Sequence, residues 1–180
     1  MATSVLFADN LFREKINEAT AVVRQSAMTK WLALVVAFVV TFAFSAIGAQ
    51  FSPGEWYRTL EKPALNPPNW IFGPVWTALY ATMAVAVWMV WCKSDRRQVR
   101  RALTAYGIQL VLNAAWSWLF FGRHQIGVAL LDIVVLWAAI LWTIVLFWRI
   151  KRSAAMLLVP YLLWVSFAAF LNLRFWQLNS

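Results

Sequence analysis

A chain of 180 residues that is 63% hydrophobic and 17% aromatic, with only 13% charged residues but a formal net charge of +9, is too apolar for an ordinary water-soluble domain. One cysteine (Cys92) and one histidine (His124) exclude an internal disulfide and leave too few ligands for a usual metal centre, so no metal site is expected. No P-loop, dinucleotide fingerprint or Ser-His-Asp set is within reach either, which removes the kinase, dehydrogenase and hydrolase classes.

Residues 1–30 are too acidic for a signal peptide, with Asp9, Glu14 and Glu18 where an unbroken apolar core would be needed. Asp9 or Asn10 could cap a helix whose Phe12, Ile16, Ala19 and Val23 recur at spacings of three and four. An amphipathic helix on the cytoplasmic surface and a disordered tail are both compatible with this extension.

Five stretches then reach the about 20 residues that a helix needs to cross a bilayer: Trp31 to Gln50, Trp70 to Cys92, Ala102 to Gly122, Gly127 to Trp148 and Ser153 to Leu173. Only the fourth holds a charge, Asp132. Lipid leaves no backbone group unpaired, and the alternation of membrane β-strands is absent, so the expected fold is an all-α integral membrane protein with a five-transmembrane-helix bundle over residues 31–178. Twelve basic residues fall on the side of the N-terminus and four on the other (Arg58, Lys62, Arg123, Arg174), which predicts a cytoplasmic N-terminus and an outside C-terminus. The run Lys93 to Arg101 reads as a membrane-surface anchor, and no nucleic-acid partner is expected.

Between the first two spans, Pro63, Pro67, Pro68 and Pro74 forbid one continuous helix, since each lacks a backbone donor and pushes its predecessor towards extended geometry. Pro67 or Pro68 fits a first helical turn, with Asn66 as its cap. The connection from Phe51 to Asn69 is long for a compact bundle, which predicts a Pro-rich loop that closes a ligand cavity.

Thirteen tryptophans exceed what interfacial belts require. Trp31, Trp88, Trp91, Trp148 and Trp176 sit near helix ends, where belts form. Trp76, Trp116, Trp118, Trp137, Trp142 and Trp164 lie deeper, as packing or as flat walls for a planar ligand. Asp132, costly inside a span, should face the interior as a structural latch to Asn113, Asn172 or Arg123.

The runs Trp56-Tyr57, Leu60-Glu61-Lys62-Pro63, Asn66-Pro67-Pro68-Asn69-Trp70 and Gly73-Pro74-Val75-Trp76, followed by QLVLNAAW (Gln109 to Trp116), FFG with Gln125, Gly127, Ala129, Leu130 and Asp132, and PYLLWVSFAAFLN (Pro160 to Asn172), resemble the tryptophan-rich sensory protein family, also called translocator protein or peripheral benzodiazepine receptor. The resemblance spans about residues 31 to 178 and implies that the loop closes a five-helix pocket.

It further implies a ligand-binding set of Trp56, Arg58, Trp76, Asn113, Trp116, Phe120, Trp164, Ala168 and Leu171, with Asp132 and Asn172 as structural polar groups. Spacing independently puts Asn113 and Trp116 on one helix face and Trp164, Ala168 and Leu171 on another. For Asn113, a ligand contact and an interhelical bond to Asn172 or Asp132 both stand. The implied ligands are porphyrins, protoporphyrin IX and haem, stacking on Trp76, Trp116 and Trp164 with propionates reaching Arg58 or Lys62, and with sterols and benzodiazepine-type compounds in animal members; no cofactor is required.

Two departures stand out. Leu171-Asn172-Leu173-Arg174 lacks the tyrosine of the animal cholesterol motif, and Val128 replaces a tryptophan common among relatives. The resemblance leaves three functions: a porphyrin receptor and sensor acting on tetrapyrrole transport or metabolism and stress, an enzyme degrading protoporphyrin in light through Trp76 and Trp164, and a structural protein with a lipid-filled cavity. Family members are often dimers, and Ala102, Ala105, Ala114 and Ala115 are small residues that suit either close helix approach in a homodimer or a lipid-facing surface. The bacterial inner membrane is the expected location.

Overall fold

The computed structural model describes residues 28–93 and 96–179, so the expected N-terminal helix lies outside the described residues. All regular structure among them is helical: α1 (Met28–Ala49), α2 (Glu55–Thr59), α3 (Asn69–Trp91), α4 (Arg96–Ser117), a π-helical turn (Trp118–Gly122), α5 (Ile126–Ile150), α6 (Arg152–Met156) and α7 (Val159–Asn179). Among the described residues, four helical stretches are long and apolar enough to cross a membrane: α1, α3, α5, and α6 together with α7. The remaining expected span, residues 102–122, is helical but differs in kind. Arg96, Arg97, Arg100 and Arg101 occupy the start of α4, and Gln109 and Asn113 lie within it, so this helix is far less apolar than the others.

Prolines set the breaks. Pro160 has no N–H for the Met156 carbonyl, and the chain turns at Leu157 and Leu158 between α6 and α7. Helix α3 begins at Asn69 with Pro68 at its N-cap position and no side-chain cap. The expected cap, Asn66, accepts a hydrogen bond from Tyr57 instead.

Helix α5 lies between α4 and α7, and α3 packs on α4 and α6. The main core joins Met83, Ala86 and Val90 of α3, Ala102 and Leu110 of α4, Leu136 and Ile140 of α5, and Tyr161 and Val165 of α7. Ala102 and Ala105 are fully buried inside the chain, so these two alanines serve packing within the protein and cannot form the expected dimer surface. On α1, Gly48 allows a close approach to α4: a Cβ there would stand 3.3 Å from the Ser117 Oγ.

The outside is apolar, as a bilayer requires, and the largely apolar inside also holds five buried polar side chains among the described residues. Leu32, Val35, Val39, Leu131, Val134 and Trp142 are exposed, whereas Thr41, Gln109, Asn113, Thr143 and Asn172 are buried. Most of the buried groups are paired. The Thr41 hydroxyl donates to the Ala37 carbonyl at 2.7 Å and meets the Tyr106 hydroxyl at 2.8 Å, joining α1 to α4.

Gln109 is the exception: neither its amide nitrogen nor its oxygen has a partner. An unpaired buried polar group costs about 1–3 kcal/mol. Gln109→Leu, close in shape, is therefore expected to leave thermal stability in detergent unchanged or to raise it. A drop of several degrees in the melting temperature would show that the amide is satisfied, for instance by buried water.

Candidate functional site

Four helices converge on a cavity of about 570 Å³, inside the roughly 300–1,000 Å³ range of small-molecule sites. From α3 come two rows spaced by four residues: aromatic Phe72, Trp76 and Tyr80, and small or polar Asn69, Gly73 and Thr77. Asn113, Trp116 and Ser117 share one face of α4, and Trp164 and Ala168 share one of α7. Helix α1 closes another side with Ser45, Gly48 and Ala49. Ser52, Pro53 and Tyr57 of the α1–α3 connection, and Phe121 of the π-helical turn, complete the lining.

The walls are held by ring contacts and one polar junction. Trp76 stacks on Tyr80 at 5.3 Å between centroids and meets the edge of Tyr161 at 6.1 Å, while Phe72 contacts Trp164 at 6.0 Å. Asn113 ties three helices together: its oxygen accepts from the Tyr80 hydroxyl of α3, and its nitrogen donates to the Tyr161 hydroxyl of α7 at 3.2 Å. Trp116 donates to Asn172 at 2.9 Å, and Asn172 donates to the Ile126 carbonyl at 3.0 Å.

The α1–α3 connection is fixed at three points. Tyr57 is buried with Phe120, Ile126, Ala129 and Phe175, its ring 5.6 Å from Phe121. Burial holds its phenol above the ordinary pKa, partly offset by the bond to Asn66, so it remains a donor at neutral pH. Trp56 stacks at 4.1 Å and 15° on His124, which the left-handed φ of 57° presents towards it. At the third point, the Asn179 side chain pairs with the backbone of Glu61 in both directions, at 2.9 and 3.0 Å.

Net hydrogen bonds are worth about 0.5–1.5 kcal/mol each, so Asn179→Ala should loosen this connection without unfolding the bundle. Amide exchange at Glu61 and its neighbours is expected to rise about threefold or more, with α5 unaffected. Unchanged protection would place the restraint elsewhere.

Of the nine residues expected at the ligand, Trp76, Asn113, Trp116, Trp164 and Ala168 line the cavity, and Trp56, Arg58, Phe120 and Leu171 do not. Trp56 faces His124, Phe120 sits in the second apolar cluster, Leu171 is buried, and Arg58 is exposed and paired with Glu55 at 2.8 Å. Among the deeper tryptophans, Trp118, Trp137 and Trp142 are exposed on the outside. The Asp132 Oδ2 is buried without a partner, and its expected partners Asn113 and Asn172 are bonded elsewhere. Tyr80, Phe72, Tyr57 and Phe121 line the cavity without having been anticipated. No cluster of metal-ligating side chains occurs among the described residues.

An apolar exterior, long apolar helices and an aromatic-walled cavity define a helical integral membrane protein with a small-molecule pocket. Residues 31–177 match the TspO/MBR family, and the chain belongs to it. It is 42% identical over 153 residues to the tryptophan-rich protein TspO of Chlorobaculum tepidum, covering 82% of this chain and 95% of that one. It is 40% identical over 139 residues to the translocator protein of Bos taurus, covering 74% and 82%. Protein CrtK of Rhodobacter capsulatus is 37% identical over 145 residues, covering 80% and 91%.

Proposed function

We propose that this protein is a membrane receptor and sensor that binds porphyrins, protoporphyrin IX or haem, in the cavity, and thereby adjusts tetrapyrrole transport or metabolism and the stress response. The observation that carries this reading is the placing of Trp76, Trp116 and Trp164 from three helices around one cavity. Indole faces are suited to a flat macrocycle, and aromatic pairs add about 0.5–1.5 kcal/mol beyond buried area. Residues 102–122 serve as the third of five crossings, and the segment between α1 and α3 acts as the lid. The N-terminus is cytoplasmic, in a bacterial inner membrane, and the family's sterols and benzodiazepine-type compounds are secondary ligands.

A second reading, light-dependent porphyrin breakdown, draws support from the contacts of Trp76 with Tyr80 and Tyr161. In that reading Trp76 gives one electron to the light-excited porphyrin, which is reduced by it, and the adjacent Tyr80 and Tyr161 rings help to spread the resulting hole.

The test is a titration of detergent-purified protein with protoporphyrin IX, following tryptophan fluorescence in the dark and the Soret band in light. Saturable quenching with a stable band is expected for a receptor. Loss of the band that disappears in Trp76→Phe would make the protein an enzyme, and no saturation would leave a lipid-filled cavity.

A further inference from the structure

The end of the bundle opposite the α1–α3 connection gathers basic residues from separate chain segments. Arg96, Arg97, Arg100 and Arg101 are exposed on the first turns of α4, and Arg149 is exposed in the last turn of α5. Helices α4 and α5 pack on each other, and the rings of Tyr106 and Phe147 stack with centroids 6.2 Å apart. From that contact towards this end, Arg101 lies about 7.5 Å along α4 and Arg149 about 3 Å along α5, at 1.5 Å per residue. The two sets of cations therefore stand at similar depths on neighbouring helices.

Packing holds them in place. Val99 and Ala102 are buried within the arginine-bearing turns of α4, so the guanidinium groups project from a docked helix. Arg100, Arg101 and Arg149 have no ion-pair partner among the described residues. In the α3–α4 connection the sequence has one acidic residue, Asp95, which lies outside the described residues.

Each helix continues from its cations into an exposed apolar stripe. Along α4, Arg97, Arg101, Thr104, Ile108 and Val111 recur at spacings of four and three and are all exposed; along α5, Arg149, Val145 and Trp142 do the same. A soluble anion would need only the cations. A lipid with a negative headgroup matches the whole stripe, because guanidinium forks pair with phosphate oxygens while acyl chains cover the apolar residues beyond.

We propose that the outer face of α4 and α5 at this end is a binding site for an anionic phospholipid. Arg100, Arg101 and Arg149 hold its phosphate, and its chains lie along Ile108, Val111, Trp142 and Val145. The site is separate from the cavity, which none of these residues lines. It also gives α4, far less apolar than the other long helices, a counter-charge where its first turns reach the headgroup layer.

The experiment uses the full-length protein in phosphatidylcholine vesicles that contain phosphatidylglycerol, with the chains of one lipid or the other brominated. Bromine quenches tryptophan on contact, and the part of the quenching that Trp142→Phe removes reports on the stripe. Wild type is expected to favour the anionic lipid over the zwitterionic one at Trp142 by about threefold or more. Arg100→Gln, Arg101→Gln and Arg149→Gln combined should abolish that preference. Lys93→Gln, Arg96→Gln and Arg152→Gln combined, which remove the same charge from the same end, should leave most of it.

Equal loss in the two triple variants would reduce the effect to the general positive potential of this end and overturn the site. Wild type alone decides the matter if the first triple variant does not insert. Equal quenching by the two lipids overturns the proposal, as does loss of the preference to inorganic phosphate at matched ionic strength, which would assign the arginines to a soluble anion.

Discussion

Asn113→Leu is expected to lower the stability of the bundle by about 2–6 kcal/mol, because it strands two buried hydroxyls at about 1–3 kcal/mol each. Asn113 is the only described side chain bonded to both Tyr80 and Tyr161, so its loss unties α3, α4 and α7 at one point. Thermal unfolding in detergent reads the effect. Combining the change with Tyr80→Phe and Tyr161→Phe should recover much of the loss, since all the orphaned polar atoms are then removed together. If the triple variant is as unstable as the single one, the cost lies in packing around residue 113 and the hydrogen-bond account fails.

Gly73→Phe is expected to weaken ligand binding by at least 30-fold, about 2 kcal/mol, while leaving the melting temperature unchanged or higher. A Cβ built at Gly73 meets no atom within 4 Å, so the new ring enters open space at the cavity's edge. Replacing glycine inside a helix also removes a backbone entropy cost of about 0.5–1 kcal/mol. Unchanged affinity for protoporphyrin IX, measured by quenching, would place the ligand outside this cavity.

Much of the helical layout was legible because crossing a bilayer leaves a long uncharged stretch for each helix. Trp70 to Cys92 against Asn69–Trp91 shows how closely composition locates such a helix. Residues 102–122 were harder, since the arginines before them and the π-helical turn after Ser117 change the character of the element. At a period of 3.6, Phe120 lies two turns from Asn113 and should share its face. The wide turn instead leaves Phe121 on the cavity and Phe120 behind it, an effect with no evident sequence signal.

Phe72 and Tyr80 could have been found: each is four residues from Trp76 on the same helix face. Tyr57 could not, because which of two adjacent aromatics turns inward depends on α2, a helix too short to announce itself. Leu171 shares the α7 face of Trp164 and Ala168 but lies beyond the cavity, a depth that periodicity does not encode. Partner choices among buried amides were equally hidden. They depend on which helices stand opposite, and this is a property of the assembled bundle.

The clasp between Glu61 and Asn179 joins positions 118 residues apart. At a synthesis rate of about 5–20 residues per second, Asn179 is made roughly 6–24 s after Glu61. Throughout that interval the segment between α1 and α3 exists without its clasp, so its last restraint forms only once α7 has been made.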